Sequence, residues 1–140
     1  MIKRRISSIT LLLALFSQFA IADVVIIVSP ASGISSISQK QAKRIFLGKM
    51  KKVNGKALVA IDQNEGSASR DAFYKTVVKK SESQLKSYWS TRIFSGKGTP
   101  PKSVKNDDEV KSWVSANADA IGYTDSSKVD ASVVVVYTNK

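Results

Sequence analysis

Five consecutive β-branched residues, Val24-Val25-Ile26-Ile27-Val28, stand in the first quarter of the chain with no polar residue between them. Successive side chains of a strand point to opposite faces, so a strand with one wet face alternates apolar and polar residues. A strand that is apolar at every position must be covered on both faces. That is the situation of a strand inside a sheet with helices on either side, above all a parallel one. Ser29-Pro30-Ala31-Ser32-Gly33 breaks the run. Residues 57–61, 120–123 and 133–137 repeat the theme, separated by helical patterns. The alternation predicts one α/β domain, a three-layer lobe with a mostly parallel sheet.

The helices carry their own punctuation. Ser38 with Gln41, Ser81 with Gln84, and Asn106 with Glu109 stand at capping-box spacing. Ala42, Ile45 and Phe46 share a face behind the first, and Gly48 is suited to end it. Phe73 with Val77 and Tyr74 with Val78 are spaced one turn apart. Leu85, Tyr88 and Trp89 form the stripe of a third helix, Val110, Trp113 and Val114 that of a fourth. Ile45, Phe46, Phe73, Leu85, Trp89, Trp113 and Val114 are the expected core. Asp107 and Asp108 are placed to complement the positive end of the last helix. Asn54-Gly55 reads as a turn. Residues 95–103, Ser-Gly-Lys-Gly-Thr-Pro-Pro-Lys-Ser, superficially match a phosphate loop, but Thr91 stands where its first glycine belongs and Gly98 follows Lys97, so they read as a structured loop.

The chain opens with Lys3, Arg4 and Arg5, then an apolar stretch over residues 9–16, then Ala20-Ile21-Ala22. This is the pattern of a secretory signal peptide over residues 1–22, which places the fold in residues 23–140 and the product in a periplasm. Of the 22 Lys and Arg residues three lie in that leader, leaving 19 against 11 acids, a net charge of +8. A basic exported domain suits anionic partners: small oxyanions, anionic lipid or lipopolysaccharide, or acidic protein surfaces. No basic-aromatic pattern of a nucleic-acid motif is present, and no nucleic-acid partner is expected. No later segment is long and apolar enough to span a bilayer. The sequence holds no cysteine and no histidine, which removes disulfides, histidine- or cysteine-based nucleophiles and the usual zinc sites. No enzyme activity, metal or cofactor is expected.

The candidate site is Gly66-Ser67-Ala68-Ser69-Arg70. It follows the strand at residues 57–61 and opens a helical pattern. A glycine, two hydroxyls and a guanidinium would then meet the free N–H groups and positive dipole of a helix start, which is the chemistry of an oxyanion site. The structural alternative makes Ser67 an N-cap and Arg70 a solvated surface charge.

Three stretches, in order, resemble the phosphate-binding proteins of ABC transporters, which have the type 2 periplasmic binding protein fold. Ile37-Ser38-Gln39-Lys40-Gln41-Ala42-Lys43-Arg44-Ile45-Phe46-Leu47-Gly48-Lys49 is similar to their "Leu-Ser…Gln…Ile-Phe-Leu-Gly" segment. Gly66-Ser67-Ala68-Ser69-Arg70-Asp71-Ala72-Phe73 resembles their "Ser-Gly-Thr-Arg…Phe" anion-binding turn, and Ala120-Ile121-Gly122-Tyr123 their "Ala-Ile-Gly-Tyr" strand. The likeness extends over most of residues 23–140 but corresponds only to the second lobe of a two-lobed protein, as in small one-lobe relatives. It implies that Ser67 is the anion-binding serine and that Ser69 keeps the hydroxyl of a threonine. Arg70 matches an arginine common after the turn. Ala68 replaces a glycine, and Gln63 stands where many phosphate binders carry a charge-pairing arginine.

The expected function is therefore binding of a small oxyanion, phosphate first, by Gln63, Gly66, Ser67, Ser69 and Arg70, in the service of phosphate uptake or sensing. One lobe leaves half of the ligand shell to water, so a partner or a second copy of the chain, as a homodimer, would complete the site. The alternative is an adaptor whose ligand site is vestigial and which docks on a membrane sensor, transporter or porin.

Overall fold

The computed structural model describes residues 23–139, so the expected leader at residues 1–22 lies outside the described residues. In chain order the elements are β1 (Val24–Val28), α1 (Gln39–Phe46), β2 (Lys52–Val53), β3 (Lys56–Ala57), β4 (Val59–Gln63), α2 (Ala68–Phe73), α3 (Glu82–Phe94), β5 (Lys102–Val104), α4 (Asp107–Ala116), β6 (Ala120–Asp125) and β7 (Val134–Thr138). Helix α2 runs directly into a wider π-helical turn, Tyr74–Val78.

Five strands form one sheet in the order β5-β4-β6-β1-β7. β4 pairs in parallel with β5 and β6, whereas β1 is antiparallel to both β6 and β7. Four of the five strands thus point the same way, and the sheet is mostly parallel with β1 inverted. All five residues of β1 are buried, as the sequence requires, but its inversion corrects the expectation that the run belongs to a parallel pairing. An apolar run reports that both faces are covered; it carries no information on strand direction.

The layers follow from the alternation along β1. Val24, Ile26 and Val28 face a core shared with α1, α2, the π turn and α3, including Phe46, Phe73, Leu85 and Trp89. Val25 and Ile27 face α4 through Val110 and Val114. Trp113 packs against this second core but is only half-buried, short of the burial expected, with Lys102 Nζ lying 4.1 Å from its ring centroid.

Local chemistry explains most of the element ends. Ser38 and Ser81 form complete capping boxes with Gln41 and Gln84. The third box is shifted: Asn106 Oδ1 accepts from the Glu109 N–H at 3.0 Å, but Glu109 Oε2 accepts from the N–H of Lys105, not of Asn106. Asn54 and Gly55, at φ 52° and 76°, make the turn of the small β2–β3 hairpin. The strand expected at 57–61 begins instead at Val59 and continues through Asp62 and Gln63. The end of the expected loop at 95–103 is taken up by β5, which adds to the sheet edge. Gly122, inside β6, is required by a close approach: a Cβ there would lie 2.6 Å from Val110 Cγ1 and 2.8 Å from Ile61 Cγ2.

Candidate functional site

β4 delivers Asp62 and Gln63 to the end of the sheet, and the chain then turns through Asn64, Glu65 and Gly66 into α2. Ser67 is the N-cap: its Oγ accepts from the Arg70 N–H at 3.3 Å. The same hydroxyl donates to Gln63 Oε1 at 2.5 Å. The Ala68 and Ser69 N–H groups belong to the open first turn of a helix and meet no acceptor among the described residues. Ser69 is 5% exposed, while Gly66 stands in the turn at φ 90°.

Gln63 is fully buried and bonded at every turn. Its Nε2 donates to Asp107 Oδ1 at 2.8 Å and to the Tyr123 carbonyl at 3.1 Å. The amide therefore ties β4 to β6, to the start of α4 and to the Ser67 cap. Asp107, expected to serve only the dipole of α4, is one of its partners.

Arg70 is not the solvated charge of the structural alternative. Its side chain is 11% exposed. Nε and Nη2 donate to the two carboxylate oxygens of Glu82 at 2.7 and 3.1 Å, and Nη1 donates to the Gln63 carbonyl at 2.9 Å. Nη1 also lies 3.1 Å from Asp62 Oδ2, and the guanidinium stands 4.9 Å from the Tyr74 ring centroid. Burial opposes its charge, but the hydrogen bonds to Glu82 and the charge of Asp62 outweigh burial and hold Arg70 protonated above its ordinary range. In return the hydrogen bond from Arg70 holds Glu82 below its ordinary value.

Asp62 is the hub beneath this arrangement, at 4% exposure. Besides Arg70 it accepts from the Tyr74 hydroxyl at 2.5 Å, from the Tyr123 hydroxyl and from the Gln63 N–H at 2.7 Å. Burial, reinforced by the charge of Asp62, raises both phenols well above their ordinary value. Tyr123 also stacks on Phe73, with centroids 4.0 Å apart. Sequence reasoning missed Asp62, Tyr74, Glu82 and Tyr123 as members of the site. The available signal was an acid and an amide, Asp62-Gln63, continuing directly from an apolar strand.

An open cleft of about 700 Å³ lies beside this network. Of the five residues singled out from the sequence, Arg70 alone lines it; Ser67, Ser69, Gly66 and Gln63 do not. Its charged lining is Asp62, Glu65 and Glu82 against Arg70 and Lys86, so the cleft wall is not electropositive. An oxyanion at this end of the molecule would meet the backbone donors of Ala68 and Ser69, with the guanidinium already neutralised.

The fold has solved counterparts. A phosphate ABC transporter substrate-binding protein with bound phosphate from Clostridium perfringens matches with a TM-score of 0.64 at 26% identity, over 81% of this chain and 44% of its own. An ABC-type phosphate transport receptor from Vibrio cholerae matches at 0.65 and 18% identity, over 81% and 45%. PstS from Borrelia burgdorferi matches at 0.62 and 16%, over 81% and 46%. The chain has the fold of a lobe of the phosphate ABC transporter substrate-binding proteins. It spans less than half the length of each of these structures. No protein-family model and no curated protein matches the chain. The first of these neighbours is named as a substrate-binding protein and the second as a transport receptor. No helix of the described residues is long and apolar enough to cross a membrane.

Proposed function

We propose that this chain is an exported, non-enzymatic one-lobe module that binds phosphate or a related oxyanion weakly at the first turn of α2, in phosphate uptake or sensing. The observation that carries the reading is the pair of unpartnered N–H groups at Ala68 and Ser69 beside the Ser67 and Ser69 hydroxyls. Its support from outside the chain is the likeness to a lobe of a protein described with bound phosphate. The Arg70–Glu82 and Arg70–Asp62 pairs support weak binding, because the guanidinium has no free charge to offer. A ligand held by one lobe also keeps half of its shell in water, so a second copy or a membrane transporter would raise the affinity by covering it.

One observation favours a second reading. Gln63, at the position of the charge-pairing arginine, is wholly engaged inside the lobe. This suits an adaptor that keeps the fold, has a vestigial ligand site and docks on a membrane sensor, transporter or porin. Titration of the chain with phosphate, sulfate and arsenate, followed by amide shifts residue by residue, separates the two. Saturable shifts centred on Ala68 and Ser69 at millimolar phosphate are expected. They should weaken in the Ser67→Ala/Ser69→Ala variant, the lost Ser69 bond to a charged ligand being worth about 1.5–3 kcal/mol, while Ser67, committed to Gln63 and the Arg70 N–H, acts by holding the turn. Absence of any saturable shift there leaves the adaptor reading in place.

A further inference from the structure

Helix α3 carries a basic, aromatic-centred face that the oxyanion reading does not use. Lys49 Nζ, Lys80 Nζ and Arg92 Cζ lie 5.7, 5.4 and 5.6 Å from the centroid of one ring, that of Tyr88. None of the three cations forms an ion pair with a carboxylate among the described residues. The one acid of α3, Glu82, is taken by Arg70. Arg92 Nη2 donates to the Gly48 and Lys97 carbonyls, whereas Lys49 and Lys80 add two like charges at the same ring without a counter-charge, and an anionic partner relieves the repulsion. Beside them is a shallow open depression of about 530 Å³, lined by hydroxyls, cations and the Gln84 amide, with no carboxylate.

The adjoining stripe of α3 ends in an exposed aromatic. Phe94 is 95% exposed. Ser87, Thr91 and Phe94 are spaced i, i+4, i+7, which puts the ring at the C-terminal end of the stripe whose Ser87 and Thr91 line the depression, beyond its edge. A small ion has no use for an uncovered phenyl group one turn beyond a basic patch. A lipid surface uses both, because stable peripheral attachment takes an apolar insertion together with a basic patch, each too weak alone. We propose that the outward side of α3 docks on an anionic phospholipid bilayer, with Lys49 and Lys80 on headgroup phosphates, Arg92 held beside them by the Gly48 and Lys97 carbonyls, and Phe94 inserted at the acyl boundary.

The chain has no cysteine, so single Ser87→Cys and Ser112→Cys variants, Ser112 being exposed on α4 in the opposite layer, each take one environment-sensitive dye. On vesicles containing phosphatidylglycerol the dye at position 87 should shift to the blue and brighten, and the dye at 112 should not. Phe94→Ser should lower the vesicle affinity read at position 87 by about tenfold, and Lys49→Glu with Lys80→Glu by about a hundredfold or more. Circular dichroism of each variant checks that it is folded. A dye at 87 that stays in the water environment overturns the proposal, including when the chain is held on the vesicle through another segment. So does an equal response to purely zwitterionic vesicles, or to inorganic phosphate without vesicles, which would make the face a site for the free ion. A response to polyglutamate with none to vesicles would assign the face to an acidic protein and equally overturn it.

Discussion

At Arg70 the distinction between a binding group and a structural one is decided by partners far away in sequence. The hydroxyl at Ser67 was legible as a cap because its target, the Arg70 N–H, is three residues on. The fate of the guanidinium was not legible, since Glu82 follows by 12 positions and Asp62 meets Arg70 only once β4 and α2 are folded together. Removing Arg70 would leave Asp62 buried with only neutral donors. Arg70→Ala should therefore destabilise by about 3–5 kcal/mol, the cost of breaking a buried pair from one side. Glu82→Gln should cost far less, because Glu82 is 35% exposed and Arg70 retains Asp62. Urea unfolding of both variants checks the ranking, and equal losses would refute the assignment of Asp62 as the hub. Tyr74 and Tyr123 make a second prediction. Their phenols hold the proton more tightly when folded than the ordinary value of 10.0. Their contribution is fully present below that pH and is lost as pH rises above it, since only the unfolded chain then ionises freely. Stability should fall above pH 10, and the tyrosinate absorbance of these two rings should appear together with the loss of circular dichroism. Ionisation of all four tyrosines with the fold intact would contradict this.

Among the elements, the helix starts were the most readable features, because a cap and its box partner lie within one turn of each other. Ser38 and Ser81 behave as their spacing requires, and either serine replaced by alanine should cost about 1 kcal/mol. Strand direction was unreadable, and β1 is the instance: its five apolar residues require two covered faces and are indifferent to the polarity of the neighbours. The π turn at Tyr74–Val78 was likewise silent, since its buried Tyr74, Val77 and Val78 have a spacing that an α-helix would also bury. Gly122 shows an element contact hidden in a short motif. In Ala120-Ile121-Gly122-Tyr123 the glycine faces α4, and the tyrosine on the opposite face reaches Asp62. Gly122→Ala would drive a methyl into Val110 and Ile61, both in the packed second core. Overpacking of this kind costs about 1–3 kcal/mol, so a clear drop in the thermal midpoint is expected. Trimming the neighbour in Gly122→Ala/Val110→Ala should not simply add the two single losses, because the smaller side chain makes room for the new methyl. Strict additivity of the double variant would show that α4 does not seat on this glycine.

Across the whole molecule, charge is sorted between the two helical layers. Residues 24–61 hold seven cations, Lys40, Lys43, Arg44, Lys49, Lys51, Lys52 and Lys56, and no acid. Helix α1 and Val53 of the hairpin in this stretch belong to the layer that contains α3. Residues 103–132 hold six acids, Asp107, Asp108, Glu109, Asp119, Asp125 and Asp130, against Lys105, Lys111 and Lys128, and this region includes α4 on the other face. The net positive balance was plain in the composition; its concentration on one layer required the fold, because Lys49, Lys80 and Arg92 meet at Tyr88 from three separate segments. Repulsion within the basic layer acts against the folded state, and salt screens it over a Debye length of about 10 Å at 0.1 M. The ion pairs that salt would also weaken are mostly exposed ones of small worth, while the pair at Asp62 is buried and little screened. Screening of the repulsion should win. Raising sodium chloride from about 0.02 M to about 0.2 M should increase unfolding stability by roughly 0.5 kcal/mol, the scale of one exposed charge pair. Lys49→Gln with Lys80→Gln should make the protein more stable in low salt and flatten its salt dependence. Denaturant titrations of wild type and double variant at the two salt levels measure both effects, and a wild type that loses stability as salt rises would show that attraction, not repulsion, dominates its surface.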